Sequence, residues 1–148
     1  MAMESELLKV VLVEDDADYV EIYRQWLEHV GYQVFVAADG ESGLDLIRRE
    51  LPDLVYLDLR MPKLDGFGLL SELRADSRTT HVPVVMLSNY DEPELRQRGA
   101  DLGVLEWIVK ADVTPGALAE RTAALMKAET ELANDDNPLP EGGDQGSP

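Results

Sequence analysis

Residues 52–66 read PDLVYLDLRMPKLDG. An apolar run, Leu54 to Leu57, stops almost at once on a carboxylate, Asp58, and the chain then breaks at Met61-Pro62 and again at Asp65-Gly66. A charge at the tip of a core strand is costly unless something pairs with it. The fold follows from what else in the sequence resembles this run and from which groups could meet its acid.

Four further runs share its character: LLKVVLV (7–13), YQVFVA (32–37), VPVVML (82–87) and VLEWIV (104–109). Each is short, rich in Val, Leu and aromatics, and bounded by breakers, which suits strands buried on both faces of a sheet. Helical periodicity fills the gaps. Over 17–30 the stripe Val20, Tyr23, Leu27 and Val30 predicts a helix, widened by Tyr19, Ile22 and Trp26 and stopped by Gly31. A second helix is predicted from Gly43 to the break at Pro52, a third over GFGLLSELRAD (66–76) and a fourth over PELRQRGADLG (93–103). The last, TPGALAERTAALMKAETEL (114–132), has Thr114 as N-cap and Pro115 in its first turn. Strands alternating with helices in this way predict an α/β (βα)5 chain: a doubly wound, parallel five-stranded sheet with helices on both faces.

Composition sets bounds. The chain of 148 residues is 45% hydrophobic and 29% charged, which predicts one globular domain with a real core. It has no cysteine, so disulfides and thiolate metal sites are excluded, which fits a cytoplasmic location. No apolar run approaches the ~20 residues of a membrane span, and the start MAMESELLKV lacks the pattern of a signal peptide. The net charge of −17 disfavours direct binding to nucleic acid or an anionic membrane. Part of that charge is local: after Lys127 come Glu129, Glu131, Asp135, Asp136, Glu141 and Asp144 with no basic residue. The expectation is a folded body over residues 5–130 and an acidic, disordered tail over 131–148.

In a doubly wound sheet ligands sit at the carboxyl ends of the strands. The first strand ends VLVEDDAD, placing Glu14, Asp15 and Asp16 just past its end, and the third ends on Asp58. If those strands are neighbours, the acids crowd one crevice. Two carboxylates ~4 Å apart repel by about 1 kcal/mol in water and roughly 4 kcal/mol at a protein edge. Such a cluster raises a pKa, disperses, or binds a cation, and an oxygen-only set favours a hard ion such as Mg²⁺. Helix capping is the alternative use of the first group, with Asp16 or Asp18 as the cap. Asp65 before Gly66 reads as turn chemistry and a helix start. The fourth strand finishes with Ser88 and the fifth with Lys110. A cation, a lone Asp, a Lys and a Ser suit a phosphoryl group: the Asp as nucleophile forming an acyl phosphate, the positive charges countering repulsion. His29 and His81 fall far from this edge.

With these residues placed, the segments VLVEDD, LVYLDLRMPKLDG, VVMLSNY and WIVKAD together resemble the receiver domain of two-component response regulators over about residues 7–127. The resemblance implies strand order 2-1-3-4-5. It implies Asp58 as the phosphoacceptor, receiving phosphate from a histidine kinase or a histidine phosphotransfer protein. It also implies Mg²⁺ held by Asp15, Asp58, Glu14 through water, and the backbone carbonyl of Arg60. Ser88 and Lys110 would bind the phosphoryl group, with Ser88 and Trp107 as switch residues. Two departures stand out. The family usually follows its lysine with a cis proline, whereas here Ala111 follows, and a cis bond there would cost ~2.5–4 kcal/mol; a trans Lys110–Ala111 peptide is expected. Trp107 is also bulkier than the usual Tyr or Phe.

The leading expectation is a stand-alone phosphorylatable receiver, not an enzyme toward other substrates, whose output is contact with a downstream protein or relay of the phosphate. A Mg²⁺-dependent Asp-nucleophile phosphohydrolase is the alternative, opposed by Arg60 where such enzymes resemble one another in a second aspartate. A docking module without phosphorylation is the third, opposed by the retained Glu14, Asp15, Asp58 and Lys110. The first helix is expected to supply part of a kinase-facing surface through Ile22 and Trp26, with packing against the last helix as the other use of Trp26.

Overall fold

The computed structural model describes residues 7–135. Five strands alternate with five helices: β1 (Lys9–Val13), α1 (Ala17–His29), β2 (Gln33–Ala37), α2 (Gly40–Glu50), β3 (Leu54–Leu57), α3 (Gly66–Ala75), β4 (Val84–Ser88), α4 (Pro93–Asp101), β5 (Glu106–Val109) and α5 (Pro115–Asp135). All neighbouring strands are parallel, and the sheet order is β2-β1-β3-β4-β5. The (βα)5 expectation and the strand order both hold.

The alternation of side chains along a strand divides the core into two layers. On one face Val11, Val13, Val55, Leu57, Val84 and Met86 pack with Leu44 and Ile47 of α2 and Leu69, Leu70 and Leu73 of α3. On the other, Val10, Leu12, Leu54, Tyr56, Val85 and Leu87 meet Tyr23 and Leu27 of α1 and Leu118 and Met126 of α5. Two hydrogen bonds made by hydroxyls fix this second layer. Tyr56 and Thr122 share a buried hydrogen bond of 2.6 Å between β3 and α5, and Tyr23 donates to the Val113 carbonyl at 2.8 Å.

Strand ends are aligned by register. Val13 lies between Ala37 and Leu57, so Glu14 and Asp58 leave the sheet side by side. The ladder continues one step past the strands: the Glu14 amide donates to Ala37 O and the Asp58 amide to Val13 O, each at 3.0 Å. The backbone carrying both acids is therefore as firmly held as the sheet itself.

Several details differ from the sequence reading. Val30 is the C-cap of α1, ahead of Gly31 with its φ of +111°, and it is exposed; the stripe has lost its core contact because the helix has already ended. Ile22 and Trp26 are 48% and 45% exposed. Trp26 leans on the first turn of α5, where a Cβ on Gly116 would lie 3.4 Å from its ring. The second helix begins at Gly40, three residues before Gly43, because the Asp39 side chain accepts from the Ser42 amide at 2.8 Å and caps it. It ends on Leu51, in the left-handed conformation at φ +46°, one residue before Pro52. Asp16 caps α1 through the Asp18 and Tyr19 amides, Asp65 caps α3 through Gly68, and Thr114 Oγ1 accepts from Ala117 at 3.1 Å. Helix α5 continues to Asp135, past the expected boundary at 130, and the remainder of the expected tail, 136–148, lies outside the described residues. No helix among them is long and apolar enough to cross a membrane.

Candidate functional site

The register brings Glu14 and Asp58 together at the carboxyl edge, with Asp15 beside them. One carboxylate oxygen from each of the three lies within 4.8 Å of the others. Glu14 and Asp58 are buried and Asp15 is exposed. Lys110, at the end of β5, reaches across the edge: its Nζ is 2.5 Å from Glu14 Oε1 and 3.4 Å from Asp58 Oδ2, and 5.0 Å from the centre of the Tyr19 ring.

Burial raises the pKa of Asp58; the Lys110 charge pulls the other way and does not cancel it. Glu14 is likewise raised, by burial first and by the neighbouring Asp58 charge, against the hydrogen bond from Lys110. For Lys110 burial alone would lower the pKa, but the Glu14 and Asp58 carboxylates outweigh it and the ammonium is held charged. The cluster thus carries an uncompensated cost, with a single cation among three acids. Its donors are all oxygens, the set a hard divalent ion takes. Beside the cluster, on its α1 side, a cleft of about 340 Å³ is lined by Glu14, Asp15, Glu21 and Arg24, with Asp58 and Lys110 not in its wall. Larger clefts of about 480 and 490 Å³ open at the opposite, amino edge, around Val82 and Pro83, with no comparable convergence of charge.

The backbone under Asp58 admits no bulk. A Cβ on Gly66, the first residue of α3, would lie 2.6 Å from the Asp58 carbonyl oxygen and 2.9 Å from Leu59 Cα. The Asp-Gly pair at 65–66 therefore does two jobs: Asp65 caps α3, and Gly66 lets that helix start against the strand end.

Ser88, the last residue of β4, is fully buried, and its Oγ accepts from the Tyr90 amide at 3.0 Å. Trp107 of β5 pairs with Met86, and its indole N–H donates to the Tyr90 carbonyl at 2.9 Å. Its ring packs against α4, where a Cβ on Gly99 would lie 2.9 Å from Cζ3, and it sits 6.2 Å from the Phe67 ring. All peptide bonds among the described residues are trans, Lys110–Ala111 included. The chain there makes a short 3-10 turn, and the Ala111 amide donates to Asn89 Oδ1 at 2.9 Å. His29 and His81 lie on exposed surface away from the acids.

Every sequence-predicted side chain thus lies on the carboxyl edge or, for Trp107, one helix contact from it. Three participants escaped the sequence reading. Asn89 secures the turn after Lys110, Tyr19 lies beneath the Lys110 ammonium, and the Tyr90 ring carries the Arg60 guanidinium at 4.5 Å. The polar Asn89 directly after Ser88 was a signal for the first; an aromatic just inside a helix offers none for the second.

The profile of the response regulator receiver domain matches residues 10–123. This chain belongs to the receiver-domain family of response regulators. Among curated relatives, a probable transcriptional regulator ycf27 of Porphyridium aerugineum is 38% identical over 135 residues, 91% of this chain and 54% of that protein. The DNA-binding dual master transcriptional regulator RpaA of Synechocystis is 33% identical over 121 residues, 82% of this chain and 50% of that one. The chain therefore spans about half the length of these relatives. Among solved structures, the Vibrio cholerae chemotaxis protein CheY4 superposes with a TM-score of 0.74 at 29% identity, over 80% of this chain and 98% of the other. A CheY-like receiver from Methanospirillum hungatei gives 0.78 at 25% identity, over 85% and 98%.

Proposed function

We propose that this receiver is switched by phosphorylation of Asp58 from a partner histidine kinase or phosphotransfer protein. The observation that carries this reading is the buried Asp58 carboxylate set between Glu14, Asp15 and the Lys110 ammonium, with two raised carboxyl pKa values that one cation fails to offset. In the step itself an Asp58 oxygen attacks the phosphorus of a phosphohistidine. A P–O bond forms as the P–N bond breaks, and the bonding pair leaves with the imidazole, which takes up a proton.

Glu14, Asp15, Asp58 and the Arg60 carbonyl would hold Mg²⁺, whose charge supplies electrostatic stabilisation of the phosphoryl oxygens. The chain's own residues do the rest. Lys110 is already anchored between Glu14 and Asp58, so its ammonium meets a new phosphoryl oxygen with little reorganisation. Ser88 Oγ uses a lone pair to accept from Tyr90, which leaves its proton free to donate to that oxygen. The Asn89–Ala111 bond holds the turn that presents Lys110.

The kinase-facing surface is read on α1, which begins at the same edge and leaves Ile22 and Trp26 half exposed. Output passes to a downstream protein or along a phosphorelay. Because the curated relatives bear the names of transcriptional regulators, the partner sought first is a regulator of transcription. Transfer of labelled phosphate from an autophosphorylated histidine kinase tests the reading. Wild type should accept the label and Asp58→Asn should not, while Ile22→Ala and Trp26→Ala should slow this transfer and leave labelling by acetyl phosphate unchanged. Equal labelling of wild type and Asp58→Asn by the kinase would overturn it.

A further inference from the structure

Arg60 stands two residues past Asp58, on the loop that leaves β3, and its side chain is exposed. Among the described residues no carboxylate lies in ion-pair range of its guanidinium, although the chain carries 30 acidic residues against 13 basic ones. It is laid over the ring of Tyr90, at 4.5 Å from the centroid. Tyr90 belongs to the other lip of the site, two residues past Ser88. Its amide donates to Ser88 Oγ at 3.0 Å, and its carbonyl accepts from the Trp107 indole at 2.9 Å. One residue thus joins the Asp58 loop, the buried hydroxyl of β4 and the tryptophan under α4.

We infer that the Arg60 guanidinium is a second cation for the phosphoryl group, parked on the Tyr90 ring until Asp58 is modified and then drawn to the phosphoryl oxygens. The proposal rests on the reading of Asp58 as phosphoacceptor. An exposed cation–π contact is weak. A guanidinium offers a planar fork of donors matched to phosphate oxygens, and such charge-assisted bonds are among the strongest a side chain makes. When an anionic phosphoryl group appears within reach, the guanidinium leaves the ring for the anion. Tyr90 then loses the partner that ties it to the Asp58 loop and remains connected only to Ser88 and Trp107. The competition gives Tyr90 two effects: it taxes phosphoryl binding, and it reports that binding toward α4.

The test is calorimetric titration with beryllofluoride, a phosphoryl mimic, in saturating Mg²⁺. Arg60→Gln should bind roughly tenfold more weakly than wild type, and Arg60→Lys, with charge but no fork, should fall between them. Tyr90→Ala, which removes the resting partner, should bind about threefold more tightly. In the Arg60→Gln background Tyr90→Ala should change nothing, since the ring then has no cation to hold. Equal affinity in wild type and Arg60→Gln would overturn this proposal alone. So would a gain from Tyr90→Ala that is the same with or without Arg60. Failure of wild type to bind beryllofluoride at all would overturn the Asp58 reading and this proposal with it.

Discussion

Strands β1, β3 and β4 are sealed on both faces almost residue for residue, whereas β5 is half buried along its whole length and α4 buries a single residue, Gly99. The two regions carry different loads. The sealed strands deliver Glu14 and Asp58, whose mutual repulsion and desolvation oppose folding, and the backbone there is fastened by sheet hydrogen bonds that run past the strand ends. The flank of β5 and α4 delivers Lys110, Trp107 and the Tyr90 carbonyl. Strand β5 is paired with β4 along its length, but α4 is fastened to the body by side chains: Trp107 against Gly99, Arg98 over Phe67 at 4.4 Å, and Arg74 donating to the Leu102 and Gly103 carbonyls behind α4. An electrostatically costly site sits where the chain is hardest to move, and the element suited to respond sits where little apolar burial opposes movement.

Core truncation gives the largest effects and the sharpest contrast. Leu57→Ala, at a fully buried position one residue before Asp58, should cost about 2–5 kcal/mol in urea unfolding. Leu95→Ala, at the partly buried position of α4, should cost about 1 kcal/mol or less. Similar costs at the two positions would break the comparison.

Adding one methyl group probes the same contrast more locally. At Gly66 the new Cβ would meet backbone, 2.6 Å from Asp58 O, so Gly66→Ala should destabilise by about 1–3 kcal/mol and displace Asp58, slowing labelling by acetyl phosphate. At Gly99 the obstacle is the Trp107 ring edge at 2.9 Å, and the helix-propensity gain of about 1 kcal/mol for Ala offsets part of the strain. Gly99→Ala should therefore unfold near the wild-type denaturant concentration while shifting the Trp107 emission, read in a Trp26→Phe background. A silent tryptophan would show that α4 does not rest on that ring.

Proton titration gives the smallest effect and separates two aspartates. Burial raises Asp58, while the Arg78 side chain and amide hold the partly buried Asp76 down at about 2. A carboxyl raised by folding binds its proton more tightly in the native state, so its destabilising effect grows as pH rises through the native pKa. Without Mg²⁺, Asp58→Asn should therefore unfold at a higher temperature than wild type at neutral pH, with the gap narrowing in acid. A depressed carboxyl contributes stability that is present above its unfolded value of 3.8 and is lost as pH falls toward 2. In an NMR titration Arg78→Ala should move the Asp76 midpoint up toward 3.8. Two aspartates titrating alike would contradict the assigned surroundings.

The sealed half was the legible half. Runs such as VVLV and LVYL announce strands buried on both faces, and the carboxylates that end them are conspicuous because a buried strand has no local use for a charge. The flank was less legible because α4 is fastened by side chains distant in sequence. Nothing near Trp107 says that it will rest on Gly99, eight residues earlier, or bond to the Tyr90 carbonyl. The Arg60–Tyr90 pair joins two loops that only the fold brings together. The exposure of Val30 was missed for a local reason: the helical period was extended one residue past the last helical position.

The central claim is that Asp58 is the reacting carboxylate among three adjacent acids. Intact-mass spectrometry after incubation with acetyl phosphate and Mg²⁺ tests it most directly. Wild type should gain a single phosphoryl group that is lost on hydroxylamine treatment, as an acyl phosphate is, and Asp58→Asn should gain none. Equal gain in the two proteins, or a hydroxylamine-stable adduct on wild type, would contradict it.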